Sequence, residues 1–287
     1  MSKIFDAVRK HSVVDFGEIS PVDADNESEL EQTSEESVPT ACPVAAFPQP
    51  TRVTRLRASA LSPIFPSDKA GHPAAEQYRM IRTKLLHHPK KPKLVVVSSA
   101  SSGDGKTTTS INIAGSLSLK SDFRVLLVDG DLRHPRIADE LDLPITPGLS
   151  DVLSGTVELD AAIVRAEQFP NLFILPAGTP AGDAAELLDS PRWHEFLVKV
   201  RAQFAVVVFD APPVATVTDY ELLQIGCDGV IFVARPDHSD RAACMRALKG
   251  VPEQKFLGVV LNCVEDWWLS KTPAYGYYRS QPSERTT

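Results

Sequence analysis

Cysteine is scarce in this chain and scattered. Cys42, Cys227, Cys244 and Cys263 lie far apart with no C-x-x-C spacing, so neither a disulfide framework nor a thiolate metal cage is written into the sequence. Long apolar runs are missing too: no stretch approaches the roughly 18 apolar residues that a membrane-crossing helix requires. The N-terminus, MSKIFDAVRK, carries charges where an export signal would have its apolar core. Together these absences lead to the expectation of a soluble, cytoplasmic protein with reduced thiols and no membrane span of its own. Lys and Arg are absent between His11 and Thr51, where nine acids from Asp15 to Glu36 accumulate. A net charge of −7 argues against nucleic-acid binding as the main function, and the seven histidines show no metal-ligand spacing.

What the chain does have is length and an ordinary apolar content: 287 residues, 43% hydrophobic, enough for one large domain with tails. The acidic stretch and the proline-bearing CPVAAFPQP bury too little apolar surface to offset the entropy of ordering, so residues 1–67 read as a disordered arm. Within it, Met1–Lys10 is either a short amphipathic docking helix or a frayed end, and Arg52, Arg55 and Arg57 form a small solvated basic spot. A folded domain is expected over residues 68–268 and a flexible tail over 269–287.

Inside the folded part, the chain from Leu94 to Ser110 reads LVVVSSASSGDGKTTTS. A β-branched apolar run predicts a buried strand, a Ser/Gly stretch predicts a loop, and Lys106 opens a helix. Gly105-Lys106-Thr107 matches the second half of a phosphate-binding loop, although Ala100 stands where the strict pattern has its first glycine. Ser102, Gly103, Asp104, Gly105 and Thr108 complete a loop whose backbone N–H groups can point at phosphate oxygens. Lys106 can reach the β- and γ-phosphates of ATP, and the Thr107 hydroxyl can hold Mg²⁺.

Two further apolar runs end in acid. VLLVDGDLRHP finishes at Asp129, Asp131 and Arg133, and VVVFDAPP at Asp210. Strands are also expected at Asn171–Leu175, Asp228–Pro236 and Phe256–Val264. Helices are expected near Pro73–His87, Ala184–Val200 with a break at Pro191, and Arg241–Leu248. Continuously apolar strands alternating with helices specify an α/β, doubly wound, mostly parallel sheet covered on both faces. In such a sheet the strands end at one rim, so Lys106, Thr107 and the three carboxylates gather there. Each single aspartate could be a helix cap. Three of them, each after an apolar run downstream of a phosphate loop, point to oxygen ligands for Mg²⁺ with one carboxylate left to accept a proton. Asn262 and Arg235, at the ends of the last two strands, are candidates for adenine contact. Glu76, Arg79 and Arg82 stand at three-residue intervals, which fits either an intrahelical ion pair or a surface between subunits.

These residues resemble the bacterial tyrosine kinases of capsule and exopolysaccharide production, within the deviant phosphate-loop ATPases that also include division-site and partition ATPases. The resemblance spans about residues 75–264 and rests on ASSGDGKTT, VLLVDGDLR and VVVFDAPP, with GLSDVLSGTVEL and ILPAGTPAGDAAELL between them. It implies an ATP- and Mg²⁺-dependent protein-tyrosine kinase in which Asp131 and Asp210 serve the metal. Asp129 would orient or deprotonate the tyrosine, with Asp129 and Asp131 able to exchange roles. It also implies a homo-oligomeric ring formed through Glu76, Arg79 and Arg82. Phosphorylation in trans of the tail cluster Tyr275, Tyr277 and Tyr278 is implied as well, as is a separate transmembrane activator of the polysaccharide chain-length-regulator type at the inner face of the membrane. Partition-type relatives usually carry a second lysine five residues before the main one; here that residue is Ser101, which favours the kinase over an ATP-gated assembly switch.

Overall fold

The computed structural model describes residues 52–57, 73–214, 218–236 and 238–264. Met1–Lys10, the acidic stretch that follows it, Trp267, Trp268 and the tyrosines at 275, 277 and 278 lie outside the described residues. Eight strands form one sheet: β1 (Arg52–Thr54), β2 (Leu94–Ser99), β3 (Val125–Asp129), β4 (Val164–Ala166), β5 (Leu172–Leu175), β6 (Val206–Asp210), β7 (Gly229–Ala234) and β8 (Phe256–Leu261). They lie in the order β1-β4-β5-β3-β6-β2-β7-β8. Every neighbouring pair is parallel except β4 with β5. The connections carry α1 (Pro73–Leu86), α2 (Lys106–Ser118), α3 (Ile137–Leu141), α4 (Leu149–Ser154), α5 (Leu159–Ala162), α6 (Ala184–Leu188), α7 (Pro191–Gln203), α8 (Thr218–Gly226) and α9 (Arg241–Lys249).

Why the strand sequences are apolar throughout is visible in where their side chains go. Leu94 and Val96 of β2, Leu126 and Val128 of β3, and Val207 and Phe209 of β6 enter one core. Their neighbours Val95, Val97, Val125, Leu127 and Val208 enter the core on the opposite face. Successive side chains on a strand point to opposite faces, so a strand covered on both sides can expose no polar position. The first core is reinforced by rings: Trp193 stacks on Phe196 at 5.4 Å and meets the edge of Phe209 at 5.8 Å. That cluster fixes β6 one residue before Asp210.

The expected helix over Ala184–Val200 is divided as Pro191 requires. Pro191 takes the first position of α7, and the Ser190 hydroxyl accepts the Trp193 N–H at 3.3 Å. The arm, read as disordered to residue 67, must be corrected at residues 52–57. Arg52–Thr54 pairs with β4, Leu56 is buried, and the Gln168 side chain bonds both its N–H (3.0 Å) and its carbonyl (2.8 Å). The partners that order this segment lie more than a hundred residues away, so local composition could not reveal them.

Removing the ring of Phe196 should cost about 3–5 kcal/mol of stability, the usual range for an aromatic deletion in a packed core. A urea titration of Phe196→Ala measures it. An unchanged midpoint would show that the α7 face contributes little.

Candidate active site

Three adjacent strands deliver the chemistry. In the order β3-β6-β2, Asp129 stands directly across from Asp210, and Asp210 across from Val97, one residue before the loop-bound serines of β2. After β2 the chain turns through Gly103 (φ 87°) and Gly105 (φ 89°), left-handed conformations that glycine adopts without strain. A side chain at Gly105 would also collide with the Asn262 amide. Lys106 then starts α2, so the phosphate loop and the N-terminal turn of a long helix face the rim.

The side chains converge as the spacing predicts. Thr107 Oγ1 donates to Asp210 Oδ2 at 2.6 Å, and Lys106 Nζ lies 3.9 Å from Asp131 Oδ2. Asp210 Oδ1 is 3.1 Å from the Ser110 hydroxyl, which also bonds the Lys106 carbonyl at 2.9 Å. Asp129 Oδ2 accepts the N–H groups of Arg136 and Ile137, each at 3.0 Å, while its Oδ1 is buried with no hydrogen-bond partner. Asp131 Oδ1 takes the His134 N–H at 3.0 Å. Beyond it, Arg133 forms a two-bonded pair with buried Asp219 at 2.6 and 3.1 Å.

The phosphate loop is latched from the other side of the rim. Buried Asp104 accepts the Ser101 N–H at 3.0 Å and the Ser239 hydroxyl at 2.6 Å. Asn262 Nδ2 donates to the Asp104 carbonyl at 3.1 Å, and His238 Nε2 stands 3.1 Å from the Ser102 carbonyl. Asn262, an adenine candidate by position, is thus engaged with the loop, and the Arg235 N–H donates to Ser239 Oγ at 2.8 Å. Ser110, Ser239 and His238 escaped the sequence reading; a serine gives no signal until its partner on another element is known. Thr108 places its carbonyl 2.8 Å from the Asn112 amide.

The three residues at three-residue spacing on α1 do not act as one stripe. Arg79 pairs with Glu76 at 2.7 Å on the exposed face, as the ion-pair alternative requires. Arg82 turns inward and donates to the Ser116 carbonyl of α2 at 3.2 Å.

Three buried carboxylates share one ammonium, and the electrostatics show the imbalance. Burial, then the neighbouring Asp210 charge, pushes the Asp129 carboxyl up to about 8, against the pull of its two backbone N–H donors. Burial also raises Asp210, to about 6, although Lys106, Thr107 and Ser110 pull it back. Surplus negative charge beside an unpartnered carboxylate oxygen and a threonine hydroxyl fits a divalent, oxygen-seeking cation. Among the described residues no three Asp, Glu, His or Cys side chains form a metal cage. That donor set suits Mg²⁺, which keeps waters and takes phosphate oxygens, better than a metal enclosed by protein.

Comparison with known proteins agrees with this geometry. A family described as "AAA domain" matches residues 92–247. The chain is 33% identical over 208 residues to the tyrosine-protein kinase YwqD of Bacillus subtilis (strain 168), covering 71% of this chain and 86% of that one. It is 31% identical over 209 residues to the tyrosine-protein kinase CpsD of Streptococcus pneumoniae, covering 71% and 90%. Among solved structures, the chimerical protein CapA2B2 superposes with a TM-score of 0.66 at 27% identity, over 69% of this chain and 88% of that chain.

Asp129 and Asp210 keep their protons in the folded chain at pH values where the unfolded chain, with carboxyls near 4, has lost them. The unfolded state then binds fewer protons, so stability falls as pH rises. In nucleotide-free protein with EDTA, urea midpoints should therefore decline from about pH 4 to about pH 8, and Asp129→Asn should flatten the upper half of that decline. Equal slopes in the two proteins would refute the assignment.

Proposed function

This chain belongs to the bacterial tyrosine-protein kinases, and we propose that it transfers the γ-phosphoryl group of ATP to Tyr275, Tyr277 and Tyr278 of a neighbouring copy, in the control of capsule or exopolysaccharide synthesis and export. The observation that carries this reading is the convergence of Lys106, Thr107, Asp129, Asp131 and Asp210 at the ends of three adjacent strands.

The loop from Ser102 to Thr108 cradles the triphosphate through backbone N–H groups, and Lys106 neutralises charge on the β- and γ-phosphates. Thr107, Asp131 and Asp210 are the residues that would hold Mg²⁺, whose chemistry here is to offset phosphate charge. In its ionised form Asp129 accepts the tyrosine proton: its Oδ1 has no competing donor, whereas Asp131 faces Lys106. Because the Asp129 carboxyl ionises only towards about pH 8, the transfer speeds up as pH rises to that value. The tyrosine oxygen forms a bond to the γ-phosphorus, the bond to the β–γ bridging oxygen breaks, and ADP leaves. Phosphoryl transfer of this kind asks mainly for positioning and charge.

Among the described residues no helix is long and apolar enough to cross a membrane. A separate transmembrane activator of the chain-length-regulator type recruits the kinase and switches it on. Glu76 and Arg79, exposed on α1, meet carboxylates and guanidinium groups of neighbouring copies in a ring. Each phosphotyrosine adds about −1.5 to −2 charge, so loaded tails repel one another and the ring comes apart.

Labelled ATP tests the reading. Replacing all three tail tyrosines with Phe should remove the label while leaving Mg²⁺–ATP affinity intact by calorimetry. Lys106→Met should cut labelling by roughly 10²–10³-fold, the scale for losing one charge-stabilising group at a phosphoryl or oxyanion site, without lowering the melting temperature. A wild type that releases phosphate but carries no label would instead be an ATP-gated assembly switch. Glu76→Ala with Arg79→Ala should reduce the oligomer to smaller species by light scattering, as should phosphorylation of the wild-type tail; unchanged mass in both would dismiss the ring.

A further inference from the structure

The rim opposite the nucleotide site has a composition that phosphoryl transfer does not explain. From the last turn of α1 to the start of β2, residues 84–93 read KLLHHPKKPK, with four lysines, two histidines and no acid. Lys84, Lys90, Lys91 and Lys93 are all exposed, and among the described residues none forms an ion pair. Lys90 Nζ reaches only the Gln254 carbonyl. Asp228, which accepts the Lys93 and Leu94 N–H groups, is already paired with Arg201. Crowding of like charge is felt locally: burial, and then the Lys90 charge, push His88 below the usual histidine range.

The patch extends onto a second element. Arg82 bonds the Ser116 carbonyl and the Ser116 hydroxyl bonds the Tyr78 carbonyl, so α1 and α2 lie side by side and finish at the same rim. Just past the end of α2 stand Leu119, 51% exposed, and exposed Lys120, whose ammonium lies over the Phe123 ring. Leu119 and Lys120 therefore stand on the same rim as residues 84–93 but beside the start of β5, where the Asn171 amide bonds the Ser118 and Lys120 carbonyls. Lys90 and Lys93 stand instead beside the starts of β7 and β8. Asp122 is the acid in this turn. The other rim holds the buried acids Asp104, Asp129, Asp131 and Asp210. Glu253, beside the Gln254 that Lys90 meets, is an exposed acid on the lysine rim, and Lys106 and Arg133 stand among the acids of the other. What marks this edge is the run of four exposed lysines without an ion pair at residues 84–93, in a chain whose net charge is −7.

We propose that the lysine-bearing rim formed by residues 84–93 and Leu119–Lys120 docks on an anionic phospholipid surface. Clustered exposed lysines are attracted to such a surface by about 1 kcal/mol each within a Debye length. Leu119 supplies a small apolar foot at the headgroup boundary. Docked this way, the sheet stands with its strand starts on the membrane and its nucleotide rim facing the solvent, open to the tail of another copy. The contact needs no activator and does not depend on the kinase reading.

Co-sedimentation of the full chain with phosphatidylcholine vesicles, with and without phosphatidylglycerol, tests it. Binding should require phosphatidylglycerol and weaken many-fold between about 0.05 and 0.5 M NaCl as the Debye length shortens. Each lysine replaced should lower the partition coefficient roughly five-fold, so K84Q/K90Q/K91Q/K93Q should lose sedimentation altogether while keeping its melting temperature and Mg²⁺–ATP affinity. Hydrogen exchange on vesicles should slow at residues 84–93 and 119–124 and not at 101–110. Binding that survives in the quadruple variant, equal binding to neutral vesicles, or protection elsewhere in the chain would overturn the proposal. So would tighter binding to a duplex oligonucleotide than to the anionic vesicles.

Discussion

Two buried carboxylates face each other across neighbouring strands, and a single ammonium stands against three acids. That arrangement is costly by itself, since charge removed from water is stable only when paired or neutralised. The domain supports it through rigidity. Asp129 is held by two backbone N–H groups, Asp210 by two hydroxyls, and β6 is fixed from behind by Trp193 and Phe196, which pack on its own Phe209. A looser core would let the acids separate and find water. A packed parallel sheet keeps them together, where a divalent cation would offset their charge.

Much of this was legible from the residues. Continuous apolar runs announced β2, β3, β6, β7 and β8, because a strand covered on both faces has no polar position to disguise it. The glycines, Lys106, Thr107 and the three aspartates were readable because strand order in a parallel fold brings strand ends to one rim. The resemblance to tyrosine kinases, carried by the same motifs, agrees with the relatives the chain matches.

What stayed hidden shares one physical cause: the decisive partner is distant in sequence. β1 and β4 are three-residue strands whose pairing is their only signature, and β4 runs against its neighbour β5. α3, α4 and α5 are too short for a helical period to emerge. Arg82 sits on the predicted spacing, yet its partner is a carbonyl on α2, so it braces two helices where spacing alone suggested an outward face. Ser239, and the bond from the Asn262 amide to the phosphate loop, came to light only once the chain brought β7 and β8 beside that loop.

Asn262 joins two parts of the molecule that chemistry treats separately. Its amide rests against Gly105 and grips the Asp104 carbonyl, two residues before the last described position, Val264. Any rearrangement of the glycine turn must drag on that amide or release it. The turn that follows β2 and the residues that close β8 are thus held by one carboxamide, and they move together or part there.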